Sequence, residues 1–137
     1  MNMNNKVAVV TGSASGFGEG IARTLAAQGA RVIVADINEA AAFAVASSMG
    51  AAAHAVRVDV TVAADVKRMF DAAESHFGGF DVLVNNAGMW HVPTALEDID
   101  EATFDRVTAV NMRSISLTMR AATPRFKAKA KGAGGIR

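Results

Sequence analysis

The densest chemical signal in the 137-residue chain is the run Thr11-Gly12-Ser13-Ala14-Ser15-Gly16-Phe17-Gly18, which follows the β-branched stretch Val7-Ala8-Val9-Val10 and precedes residues at helical spacing. Unpaired backbone N–H groups at a helix N-terminus attract phosphate, and glycines let the main chain turn sharply and approach a ligand closely. Gly12 suits the turn, Gly16 the approach and Gly18 the packing of helix on strand, with Ser15 and Phe17 inside the same phosphate-binding loop. Glycines also serve ordinary tight loops, so the run needs a second feature. Asp36 supplies it, eighteen residues beyond Gly18 and at the end of a second apolar run. A carboxylate there accepts hydrogen bonds from an adenosine ribose and repels a 2′-phosphate; its other reading is a turn residue flanking a helix. Ser13, Ala14, Ser15 and Ile37 offer no basic partner for an extra phosphate. NAD is therefore favoured over NADP.

These residues need a scaffold that brings strand ends together. Residues 6–10 read as a strand whose run Val7 to Val10 is continuously apolar, as burial on both faces requires, and residues 16–28 carry Ile21 and Leu25 at helical spacing before Gly29. The cycle repeats: a strand over 31–35, a helix to Met49 capped by Asn38, a strand over 54–58, a helix over 61–77 capped by Thr61, and a strand over 81–84. Asp100 caps a long helix over 101–122 or beyond. Strands alternating with helices of this length predict right-handed crossovers and a parallel sheet covered on both faces, an α/β fold. No repeat or linker divides the chain, so residues 1–137 read as one domain.

Composition narrows the classes. Apolar residues make up 51% of the chain, too many for disorder, yet no apolar run approaches the roughly 18 residues of a membrane span. Zero cysteines exclude disulfides, thiolate metal sites and thiol nucleophiles. All 13 acids lie within residues 1–124, whereas five of the 14 basic residues fall in the last thirteen positions. The body thus has no basic field for nucleic acid, and Lys127, Lys129 and Lys131 read as the dipole-complementing end of a helix. The opening Met-Asn-Met-Asn-Asn-Lys carries no export signal. The expectation is a cytoplasmic protein with neither a membrane nor a nucleic-acid partner and no metal site.

With these residues in view, the sequence resembles the short-chain dehydrogenase/reductase family over nearly its whole length. Gly12-x-x-x-Gly16-x-Gly18 is that family's form of the dinucleotide turn, and Asn85-Asn86-Ala87-Gly88 resembles its second signature, after the fourth strand. The resemblance implies a Rossmann-like doubly wound sheet, strand order 3-2-1-4-5-6-7. It also implies cofactor contacts at Asp59 and Val60 beside the adenine and at Asn86, Ala87 and Gly88, and a catalytic-site role for Asn111, at a break in the long helix, in placing a water of the proton relay. Trp90 and His91 fall where the family places the substrate-pocket wall. Taken alone, Trp90 reads rather as a packed anchor than as a specificity element, and His91 as a solvated loop residue. Pro124 falls at the family's helix exit, and residues 134–137 at the start of its fifth strand.

The family's proton-handling groups are Ser, Tyr and Lys, the last two in a Tyr-x-x-x-Lys motif. This chain contains no tyrosine, and its three histidines offer no evident substitute. The expectation is therefore an incomplete sheet of about four strands, lacking strands five to seven and ending before the catalytic segment. Its fourth strand becomes an edge, which favours a homo-oligomer. Function then reads as the NAD-binding portion of an oxidoreductase that moves hydride between a secondary alcohol and a ketone but cannot do so alone. Such a small-molecule partner is expected only if a missing half completes the site. The alternative is a non-catalytic NAD-binding regulatory or partner-binding module, and the substrate is not legible.

Overall fold

The computed structural model describes residues 1–132. Four parallel strands, β1 (Val7–Thr11), β2 (Arg31–Asp36), β3 (Ala53–Arg57) and β4 (Val82–Val84), form one sheet in the order β3-β2-β1-β4. Among the described residues five α-helices accompany them: α1 (Gly16–Ala27), α2 (Glu39–Met49), α3 (Ala63–Phe77), α4 (Glu101–Thr108) and α5 (Ser114–Gly132). Among the described residues β4 pairs only with β1 and so ends the sheet. The expected strand at 134–137 lies outside the described residues.

The continuous apolar runs are explained by two cores. Alternate strand residues point to opposite faces, so Ala8, Val10, Val32 and Val34 pack with Ala22 and Leu25 of α1 and Ala42 and Val45 of α2. Val7, Val9, Ile33 and Ala35 pack on the other face with Val66, Met69, Phe70 and Ala73 of α3 and Ala122 of α5. The Phe70 ring, fully buried, stacks on Phe80 at 4.8 Å between centroids; a ring of this size stabilises the fold by about 1.5–3 kcal/mol.

Local signals behave as their chemistry requires at several termini. Asn38 Oδ1 accepts from the Ala41 N–H at 3.1 Å, and Asp100 Oδ1 accepts from Thr103 N–H at 2.6 Å, so both predicted caps form. Thr61 does not cap α3. Its N–H and hydroxyl both donate to Asp59 Oδ1, at 2.9 and 2.6 Å, and Val62 occupies the cap position instead. The hydroxyl is consumed by the turn that precedes the helix.

The last helical stretch is interrupted where the resemblance implies a break: a π-helical segment, Ala109–Arg113, holds Asn111 and separates α4 from α5. One correction concerns its end. Pro124 does not end it, since α5 runs through the proline to Gly132. A proline inside a helix costs about 3 kcal/mol. Contacts beyond it offset that cost. Arg125 pairs with Asp71 at 2.7 Å, the Phe126 ring packs edge-on against Phe80, and Lys129 Nζ lies 2.8 Å from Asp81 Oδ1.

Asp81 is the junction of sheet and helix. Its Oδ2 accepts from the Val7 N–H at 2.8 Å, and Lys6 approaches to 3.8 Å. Burial pushes its carboxyl up, but the Lys129 hydrogen bond, the Val7 N–H and the charges of Lys129 and Lys6 outweigh burial and hold it below the ordinary value. The unfolded chain then binds this proton more readily. The stabilisation is complete above about pH 4 and is lost as pH falls through the depressed value. Asp81→Asn is expected to cost about 2 kcal/mol at pH 7 and to flatten the acid limb of stability against pH. Urea unfolding at pH 7 and pH 3 checks this, and equal slopes for both proteins would refute it.

Candidate functional site

The carboxyl ends of the strands open into a cavity of about 670 Å³. All eleven residues read from the sequence as cofactor contacts line it. Gly12, Ser15, Gly16, Phe17 and Gly18 come from the β1–α1 turn, Asp36 from the end of β2, Asp59 and Val60 from the loop after β3, and Asn86, Ala87 and Gly88 from the loop after β4. Ile37, Val58, Met89, Trp90, Arg106 and Val110 complete the lining.

The turn is built around close backbone contact. Gly12 adopts φ +63°, and a Cβ there would meet Ala87 Cα at 2.8 Å. A Cβ on Gly18 would fall on the Gly12 carbonyl and the Asn86 amide. Asn86 fastens the two loops together. Its Nδ2 donates to the carbonyls of Thr11 and Gly12, each at 3.0 Å, while its N–H and that of Ala87 donate to Thr11 Oγ1 at 3.1 and 3.0 Å. Ser15 occupies the N-cap position of α1 without a side-chain capping bond. The first N–H groups of that helix therefore keep their capacity for an anion.

Asp36 is held in one orientation. Its Oδ2 accepts from the Ala14 N–H and its Oδ1 from the Asn38 N–H, both at 3.0 Å. Each carboxylate oxygen retains a second lone-pair direction for a ligand hydroxyl. Asp59 is engaged by Thr61, and its N–H donates to Asp65 Oδ2 at 3.0 Å. That N–H holds Asp65 below the ordinary carboxylate range; burial opposes it, and Arg68 and Arg57 add to it.

A second cavity, of about 390 Å³, adjoins the first and shares Ala87, Gly88, Met89 and Trp90 with it; Asn85, Asn111 and Ile115 line the rest. Asn111 sits in the π-helical segment and clamps the loop after β4. Its Nδ2 donates to the Met89 carbonyl and its Oδ1 accepts from the Met89 N–H, each at 2.8 Å. Asn85 Oδ1 accepts from Thr118 Oγ1 at 2.7 Å, fixing the same loop to α5. Trp90 is not a packed anchor. It is 75% exposed, because the loop carries it to the rim where the two cavities meet. His91 lines neither cavity, and its Nδ1 lies 2.8 Å from the Val92 carbonyl oxygen.

Sequence reasoning missed Arg106, Val110, Ile37, Val58 and Met89 as lining residues. For Val110 a signal existed in its adjacency to Asn111, whereas the others depend on how α4 and the loops close over the sheet. It also missed the pairing of His54 with His76, whose rings stack at 3.8 Å on the α3 face of β3. Burial, and then the neighbouring His76, pushes the His54 imidazole down.

Comparison with known proteins adds independent support. The family model described as short chain dehydrogenase matches residues 6–136. Galactitol 2-dehydrogenase of Agrobacterium fabrum is 41% identical over 132 residues, covering 96% of this chain and 51% of that protein. D-beta-hydroxybutyrate dehydrogenase of Cupriavidus necator is 43% identical over 132 residues, covering 93% and 50%. The crystal structure of 3-ketoacyl-(acyl-carrier-protein) reductase from Brucella melitensis, complexed with NADH, superposes with a TM-score of 0.93 at 42% identity, over 96% of this chain and 55% of that one. The chain spans about half the length of the curated relatives it matches. The glycine turn fastened to the Asn86 loop, the parallel order β3-β2-β1-β4 and the family match over residues 6–136 agree, and the chain belongs to the short-chain dehydrogenase family of Rossmann-fold oxidoreductases.

Proposed function

We propose that residues 1–137 act as one domain that binds NAD in the larger cavity and forms the nucleotide-binding portion of an oxidoreductase. The observation that carries this is the meeting, in one cavity, of an uncapped helix N-terminus and an oriented acid, Asp36. The α1 N–H groups receive the diphosphate, Gly18 and Gly12 keep the space beneath it free of Cβ atoms, and Asp36 accepts from the adenosine ribose while opposing a 2′-phosphate. Asp59, Val60 and Ile37 surround the base. The solved reductase that this chain resembles carries NADH, which supports the same ligand here.

When bound, NAD supplies hydride exchange between a secondary alcohol and a ketone. Asn111 positions the Met89–Trp90 loop beside the smaller cavity and helps place a water there. Proton exchange with the substrate oxygen needs a further group, and the 137 residues hold no tyrosine. The chain alone therefore binds cofactor without turnover, and we place it in the cytoplasm. The edge position of β4 among the described residues, with Phe104, Met112, Ile115 and Met119 exposed on the adjoining helical stretch, supports self-association into a homo-oligomer.

Trp90 is the single tryptophan and borders the cavity, so its emission reports occupancy. Titration with NADH is expected to quench it saturably, NAD supplied with secondary alcohols is expected to stay unreduced, and sedimentation of the protein is expected to show an oligomer. A folded sample indifferent to NADH overturns the binding assignment. Turnover by the chain alone overturns the division of labour, and a monodisperse monomer at micromolar concentration overturns the self-association.

A further inference from the structure

We propose that Arg106 closes the nucleotide cavity over the adenine, its guanidinium plane stacked on the face of the base. This rests on the reading that the cavity holds NAD. Among the described residues that line the cavity Arg106 is the only cation, and it is exposed. Among the described residues its guanidinium makes no ion pair and no hydrogen bond, although two carboxylates line the same cavity. Both are engaged elsewhere: Asp36 by the Ala14 and Asn38 N–H groups, Asp59 by Thr61. An unpaired charge at the mouth of a cavity is available to a ligand rather than to the fold.

Its position within the cavity selects the part of the ligand. Arg106 stands one helical turn before Val110, which packs against the cluster containing Val58 and Val60. Ile37, Val58, Val60 and Val110 together give the lining an apolar section suited to a flat base, and Arg106 lies on the α4 side of it. The diphosphate has its own donors at the start of α1, which leaves the guanidinium free for the ring. Guanidinium is planar and weakly hydrated and stacks on aromatic faces; an ammonium lacks that plane.

The test compares NADH, ADP-ribose and reduced nicotinamide mononucleotide, which lacks the adenylate, on the 137-residue protein and on Arg106→Leu and Arg106→Lys. Arg106→Leu is expected to weaken NADH and ADP-ribose about tenfold and to leave the mononucleotide unchanged, while Arg106→Lys recovers only a small part. Unchanged NADH affinity overturns the proposal. So does an equal loss for the mononucleotide, which would put the charge at the shared phosphate, and so does full recovery with lysine, which would reduce the role to charge alone. A parent protein that binds neither NADH nor ADP-ribose overturns the assignment of the cavity itself, and this proposal with it, whatever the variants do.

Discussion

Gly18→Ala is expected to abolish NADH binding and to lower the unfolding free energy by about 3 kcal/mol. The added methyl group would fall on the Gly12 carbonyl and the Asn86 amide. Neither neighbour is the free end of a flexible side chain. The carbonyl belongs to the turn itself, and the amide is committed to two carbonyls at 3.0 Å each. Relief requires α1 to move off β1, which removes the helix N-terminus from the cavity. Gly20, in the same helix, provides the control: a Cβ there meets nothing within 4 Å, and Gly20→Ala is expected to stabilise by about 1 kcal/mol. Urea midpoints and NADH titrations on both variants check the pair. A Gly18→Ala protein with the parent's midpoint and affinity would show that the turn tolerates what its geometry forbids.

Asp36→Ala is expected to weaken NADH by about ten- to a hundredfold, the range for lost hydrogen bonds to a charged group. NADPH should move the other way, because the carboxylate no longer opposes a 2′-phosphate. The preference between the two cofactors then collapses. Alanine also leaves the Ala14 and Asn38 N–H groups without their acceptor, so a loss caused by a loosened turn must be separated from a loss caused by missing charge. Asp36→Asn makes that separation, since its amide oxygen still accepts from the backbone. If Asp36→Asn discriminates between NADH and NADPH as the parent does, the carboxylate does not select the cofactor.

The sheet was legible because its two inner strands, β1 and β2, are buried on both faces. Val7 to Val10 and Val32 to Ala35 admit no polar residue, and that continuity is what distinguishes them from surface strands. The gathering of the turn and Asp36 in one cavity was legible because they must stand at consecutive strand ends, a constraint that fixes their separation in sequence. The caps at Asn38 and Asp100 were legible because each is decided within one turn of helix.

What stayed hidden depends on partners distant in sequence. Pro124 reads as a stop until Arg125, Phe126 and Lys129 find Asp71, Phe80 and Asp81 across the fold. Thr61 reads as a cap until Asp59 claims its hydroxyl. The break at Ala109–Arg113 leaves no mark in apolar spacing and was legible only through the resemblance at Asn111, while a lone arginine in an amphipathic helix carries no sign that it will border a cavity.

The two bonds between Asn111 and Met89 join backbone at residue 89 to a side chain twenty-two positions away. They act as a rivet between a segment of widened helix and the loop that bears the single tryptophan. Tilting of that helical stretch must carry the indole with it, and a ligand that pushes the indole aside must strain the helix. The protein thereby has an optical handle on helix motion, readable through Trp90 emission without any added label.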